Sequence, residues 1–385
     1  MDGGATCTIM THFEALDDPR VERAKRHDLL DIVTIALCAV MGGADGWVEV
    51  EEFGRAKQAW LATFLALPHG IPSHDTFGRV CAALDGAQCA ACFREWVAAI
   101  AARTAGQVSA VDGKTLRRSH DRGAGKGALH LVSAWACTNR LVLAHLPVTE
   151  KSNEITALPA LLRMLALEGC IVTIDAMGGQ TEGAPTIRDE EGDDVRALKK
   201  NQGRLYGDGA ALCAEARTTD VAHLAPATHD THRTGDGDGD GDHGRIEIRQ
   251  AWVITDAVTR RYLDPEGRWA TLRSVGMVQA ERRVGTEVSR ETRYYISSLA
   301  ASARTLHDAV RSHGGSENTV HWVLDLAFRE DESRARTGES ARNLAVLRHR
   351  ALNLLQRETT ARCGIKARRL KAGWDHQYLL EVLAA

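Results

Sequence analysis

The 385-residue chain has no continuous apolar run of the roughly 18 residues that a membrane-spanning helix needs, so no membrane span or membrane partner is expected. Its start, Met1-Asp2-Gly3-Gly4, lacks the basic-then-apolar order of a secretory signal. It has little cysteine in any metal-binding pattern. The nine cysteines are scattered, and Cys89-Ala90-Ala91-Cys92 is the one CxxC. No second pair or histidine cluster answers it, so it reads as helix packing rather than zinc or redox chemistry. Reduced thiols and a cytoplasmic location are expected. Strong net charge is also missing. At −3 the whole chain does not announce a nucleic-acid binder.

Charge distribution says more. From Arg342 to Lys371 there are nine Lys or Arg and one acid, Glu358. That segment carries +8 and leaves −11 for the rest. Such a stripe is either a solvated helical face or a surface for a phosphate backbone.

Residues 12–104 read as mostly helical. Leu29 to Val40 is apolar nearly all round and predicts a buried helix. Gly42-Gly43-Ala44-Asp45-Gly46 stops it, Val48–Leu67 is amphipathic, and Ser73 or Asp75 can cap the next helix. The period changes at Gln107. Val108–Asp112, Leu129–Cys137 and Leu141–Val148 read as strands, the last two as a hairpin around Thr138-Asn139-Arg140. Ile155–Leu167 reads as a helix and Cys170–Asp175 as a buried strand. Residues 182–194 look like a solvated helix or loop, and Val195–Gln202 like a short strand with polar groups at its end. The Gly/Asp alternation Gly235–Asp242 lacks the twelfth-position Glu of a calcium loop and reads as a low-complexity expansion. Ile246–Thr255, Ser274–Val284 and Glu291–Leu299 are strand-like, Ala300–His313 and Ser316–Phe328 helical, and Ser340–Arg357 a C-terminal helix.

The expected fold is therefore α/β. A helical domain spans 1–104 and admits DNA binding. A ribonuclease-H-like core spans 105–385, with a β-rich insertion at about 182–299 and a basic helical C-terminal segment. Asp112 and Asp175 each close an apolar or β-branched run just before a small residue. Carboxylates at neighbouring strand ends, joined by a third from a helix, make a hard-oxygen pocket for Mg²⁺. Two such ions serve phosphodiester cleavage. Glu317 and Glu330 are the candidates for the third acid. Trp135, Trp252 and Trp322 read as core residues.

Several segments, in this order, resemble the DDE transposases of bacterial insertion sequences, in the branch that includes the H-repeat-associated proteins of Rhs elements. They include Asp112-Gly113-Lys114-Thr115-Leu116-Arg117, Glu150-Lys151-Ser152-Asn153-Glu154-Ile155 and Thr173-Ile174-Asp175-Ala176-Met177-Gly178. Further along come Leu198-Lys199 with Asn201-Gln202, Tyr294-Tyr295-Ile296-Ser297-Ser298 and His321-Trp322-Val323-Leu324-Asp325. In the N-terminal part they include Gly43-Ala44-Asp45-Gly46-Trp47 and Gly70-Ile71-Pro72-Ser73-His74-Asp75.

The resemblance implies a triad of Asp112, Asp175 and Glu317 holding two Mg²⁺ or Mn²⁺ ions. It implies double-stranded DNA partners, the inverted repeats at the element ends and the target, and a homodimer in a nucleoid-associated synaptic complex. Water attacks the phosphodiester at the element end, and the freed 3′-hydroxyl attacks target DNA. Lys114, Arg117, Lys199, Asn201, Gln202, His313, Arg368 and Arg369 are the expected DNA contacts. Where the family has Trp and Ile before the third acid, this chain has Gly314 and Ser316. Both lower helix propensity and remove apolar anchors. A DNA-binding remnant that represses transposition and a metal-dependent nuclease are the rival readings.

Overall fold

A computed structural model describes residues 11–100, 107–120, 123, 125, 127–148, 154–175, 183–218, 227–234, 245–269, 271–300, 302–316 and 320–385. The chain opens with α1 (Leu29–Met41), α2 (Trp47–Ala56), α3 (Gln58–Leu61), α4 (His74–Ala83) and α5 (Gly86–Ile100). Strands β1 (Val108–Thr115), β2 (His130–Ala136) and β3 (Leu141–Val148) follow. Then α6 (Glu154–Leu162), β4 (Ile171–Ile174), α7 (Gly183–Asp189) and β5 (Asp193–Leu198) alternate. Next come α8 (Gly203–Thr218), β6 (Ala227–Thr234), β7 (Arg245–Ile254), α9 (Ala257–Leu263), β8 (Ser274–Val284) and β9 (Glu287–Ser297). The last helices are α10 (Ala303–Ser316), α11 (Trp322–Ala327), α12 (Ser340–Arg357), α13 (Ile365–Trp374) and α14 (His376–Ala384).

The described chain divides into two compact units. The larger comprises residues 1–102, 113–153 and 316–385. The expected N-terminal helices thus share a unit with the β2–β3 hairpin and the C-terminal helices. Its centre is α1 with α12. Asp28 caps α1 by accepting from the Leu30 N–H, and every residue of α1 except Leu30 is buried. Such an all-round apolar helix is stable only inside a core. Helix α12 is nearly as buried and carries polar groups inward. Asn353 satisfies the Val142 backbone of β3 in both directions, Nδ2 donating to its carbonyl at 3.0 Å and Oδ1 accepting from its N–H at 2.9 Å. Arg350 is fully buried between the rings of Phe13 and Trp96 and donates to the Cys92 carbonyl. The two ring faces and one carbonyl offset part of the cost of burying this charge, while its Nε and Nη1 make no hydrogen bond among the described residues.

The smaller unit comprises residues 103–112 and 154–315. Its strands run in the order β1-β4-β5-β9-β8-β7-β6. β1, β4 and β5 are parallel, and β9, β8, β7 and β6 continue as an antiparallel meander. Helix α8 covers the inner part of that meander through a cluster including Leu205, Cys213, Trp252, Val275 and Met277.

The structure differs from several expectations. Residues 182–194 are not simply solvated, because α7 buries Gly183, Ala184, Thr186 and Ile187. Asp194 is buried against Arg196. Strand β6 and helices α8, α9, α13 and α14 add to the elements expected. The helix expected to end at His313 continues to Ser316, and 317–319 lie outside the described residues. The Gly/Asp stretch at 235–242 lies outside them too.

Candidate active site at the strand ends

In the smaller unit the parallel pairing of β1 and β4 sets Val111 opposite Ile174. The next position on each strand is an acid, Asp112 and Asp175. Neighbouring strands lie about 4.8 Å apart, so two half-buried carboxyl groups stand side by side where β1 and β4 stop pairing, Asp175 just past the end of β4 and Asp112 three residues before the end of β1. That edge is where open α/β sheets place their ligands. Strand β5, next to β4, ends at Leu198 and delivers Lys199 to the same edge. Its Nζ lies 3.5 Å from Asp175 Oδ2. The Gln202 side chain accepts from the Lys199 N–H at 2.8 Å and fixes the turn that follows. Asn201 belongs to that turn, and its side chain lies outside the described ones.

His313, on α10, meets the sheet one step further in. Its Nδ1 is 2.9 Å from the hydroxyl of Thr173, the buried residue two before Asp175. Sequence reasoning missed Tyr295. It is buried in β9, and its phenol is pushed up to about 12, first by burial and further by the charges of Glu291 and Asp175. The repeated Tyr294-Tyr295 was the available signal, but strand alternation alone does not say which of the two faces the acids.

In the larger unit Lys114 makes internal ion pairs. Its ammonium sits 2.5 Å from Asp325 Oδ1 and 2.8 Å from Glu330 Oε2. Burial opposes the charged form of Lys114, but the two carboxylates outweigh it and hold its pKa above the usual lysine value. Glu330 is buried and shows the mirror behaviour, with Lys114 holding it below the usual carboxylate value against the effect of burial. Lys114 is therefore not an open cation awaiting phosphate, and Glu330 is committed to an ammonium rather than open to a metal. Arg117 is exposed, with its Nε 3.2 Å from Asp331.

The C-terminal cations need correction. Arg369 is 3% exposed. It donates to the carbonyls of Val40, Ala44 and Ala327 and to Asp45, over the ring of Phe328. Arg368 donates to the carbonyls of Leu355, Glu358, Ala361 and Cys363. These two arginines close helix and loop ends and do not offer their guanidinium groups to DNA. Arg348 and Arg350 are buried as well. Trp322 departs in the other direction, being 61% exposed, whereas Trp135 and Trp252 are core residues.

Glu317 lies outside the described residues. Among the described residues no group of three or more His, Cys, Asp or Glu is placed to hold a metal. Asp112 and Asp175 supply the hard oxygen donors that Mg²⁺ or Mn²⁺ prefers, so the pair fits such an ion as part of a ligand set. No described helix is long and apolar enough to cross a membrane.

Residues 103–354 match the transposase DDE domain family, and residues 10–97 match its associated N-terminal family. The chain belongs to the DDE transposase family. These matches divide the sequence near residue 100, as the compact units also do, but the larger unit takes in 113–153 and 316–385 besides. Among similar proteins, the H repeat-associated putative transposase YhhI of Escherichia coli K12 is 35% identical over 98% of this chain and 97% of its own. An uncharacterized protein from the dhlA 3′ region of Xanthobacter autotrophicus is 44% identical over 75% of this chain and 94% of its own. A piggyBac transposase, solved as a synaptic complex with hairpin DNA, aligns at a TM-score of 0.41 and 9% identity over 97% of this chain and 77% of its own. A likeness that slight carries no weight for the fold.

Proposed function

We propose that this family member cuts DNA at the ends of an insertion sequence and joins the freed 3′-hydroxyl to target DNA. The observation that carries the reading is the placement of Asp112 and Asp175 side by side, each directly after the last paired residue of the adjacent parallel strands β1 and β4, within the segment matched by the DDE family. The order of β1, the β2–β3 hairpin, α6, β4, α7 and β5, with β1, β4 and β5 parallel, supports a ribonuclease-H-like core.

Asp112 and Asp175 would hold the metal through their carboxylates, with Glu317, assigned by its match to the family motif, as the third ligand. When bound, a pair of divalent ions supplies activation of the attacking oxygen and stabilisation of the leaving one. The protein's part is to fix the acids on rigid strands so that little reorganisation is needed when DNA arrives. Lys199 remains exposed enough to meet phosphate, and Gln202 and His313 bound the same edge of the smaller unit, while Arg117, in the larger unit, is exposed too. The element ends and the target are double-stranded DNA, and two copies of the chain pair the ends.

The test is cleavage of DNA bearing the element end. D112N and D175N preserve shape and remove the charge that holds a divalent ion. Cleavage should fall by orders of magnitude while DNA binding survives. Variants that cut as well as the parent would refute the assignment.

A further inference from the structure

Asp112 and Asp175 place two negative charges side by side, and Lys199 reaches Asp175 from the next strand. Lys199 Nζ stands 3.5 Å from Asp175 Oδ2, with the two side chains 48% and 44% exposed. The lysine backbone is pinned by the Gln202 side chain, so only its flexible stem has to move for the ammonium to leave. An ion pair this open is weak, in the range of about 0.2–1 kcal/mol. It is strong enough to bias an empty site and weak enough for a divalent ion to displace.

We propose that Lys199 is a placeholder cation. It neutralises Asp175 when no divalent ion is bound, competes with that ion for the carboxylate, and passes to a DNA phosphate when DNA enters. Metal binding and DNA binding are then coupled through one side chain. DNA draws Lys199 away and raises the affinity of Asp175 for metal, and by linkage metal raises the affinity for DNA by the same factor. This proposal rests on the reading of Asp175 as a metal carboxylate.

The experiment is Mn²⁺ binding to the full chain, followed by electron paramagnetic resonance, without DNA and then with a short duplex. K199Q and K199M remove the cation, K199R keeps it, and thermal melts confirm that each variant is folded. Without DNA, K199Q and K199M should bind Mn²⁺ about threefold to fivefold more tightly than the parent, the most that an exposed ion pair of this kind can withhold. K199R should match the parent. Adding duplex should tighten Mn²⁺ binding to the parent and close most of the gap to K199Q. If K199Q and K199M bind Mn²⁺ no more tightly than the parent, the placeholder role is overturned. D175N separates the two layers. If D175N leaves Mn²⁺ binding unchanged, the site reading itself falls, and this proposal with it. If D175N abolishes binding while K199Q has no effect, the site stands and Lys199 is excluded.

Discussion

Arg369 lies in a stretch dense with positive charge, yet its guanidinium is directed wholly inward. It gathers the carbonyls left open at the end of α1 and the end of α11, and Asp45 balances its charge. The packing there is close. A Cβ added to Gly373, on the same helix, would collide with the carbonyl of Gly42. The Gly43-Ala44-Asp45-Gly46-Trp47 segment thus has a structural use, holding a buried arginine where the chain leaves α1. Removing one partner of a buried, hydrogen-bonded charge costs about 3 kcal/mol or more. R369M is expected to lower stability on that scale, read as a shift of the urea midpoint. Arg362 and Lys366 are exposed. R362Q/K366Q should leave the midpoint within about 0.5 kcal/mol of the parent. A stable R369M would mean that the described contacts are dispensable and that the charge faces elsewhere in solution.

Helix α10 ends at Ser316, and the proposed third acid, Glu317, is the next residue in the sequence. Gly314 and Gly315 form its final turn with ordinary helical backbone signs, and a Cβ added to either would meet nothing within 4 Å among the described residues. The two glycines therefore soften the end of a helix, in space that no other described residue fills. Alanine there costs no room and restores up to about 1 kcal/mol per site. G314A/G315A should slow amide exchange in the last turn of α10 and raise the cleavage rate with little change in DNA affinity. Unchanged exchange would show that other contacts already hold this turn. Much of this architecture was legible in the sequence. Asp112 and Asp175 stood out because each follows a short apolar or β-branched run and precedes a small residue, although β1 runs on to Thr115, and α1 because only Asp31 and Thr34 interrupt its apolar run. Strand β6, with polar residues such as Thr228, His229, Asp230 and Thr231, has no such signature. Helix α7 was obscured by the acids after it, although Ile187 faces the core. Arg368 and Arg369 misled because a charge count says nothing of the carbonyls that a fold brings within reach. Local pattern also cannot reveal that three separate stretches of chain assemble into one unit.

The stability of the whole protein should carry the mark of a histidine pair in the larger unit. His145 Nδ1 and His349 Nδ1 are 3.1 Å apart, both buried, with Phe93 against the two rings. Burial pushes His349 down to about 4, with Lys114, His321 and Arg348 adding to the effect and Glu330 opposing it. His145 is lowered too, by burial first and then by His349, Arg342 and Arg94. Both rings are thus neutral in the folded protein where an exposed histidine, near 6.5, is already taking up protons. Between pH 6.5 and about 4 the unfolded chain binds more protons than the folded one, so stability rises with pH and is lost on acidification. Each histidine contributes at most about 1.4 kcal/mol per pH unit in that window. Glu330, held below the usual carboxylate range, adds a loss only at lower pH still, as it becomes protonated and releases Lys114. The expected result is a urea midpoint that is level above pH 7 and falls steadily from pH 6.5 to pH 4.5. H349F removes one of the two titrating rings, so it should roughly halve the slope of that fall, with His145 still contributing, even if it lowers stability at pH 7. A parent whose midpoint is as high at pH 5 as at pH 7 would show that these rings accept protons without cost, and that the pair is not sealed in the core.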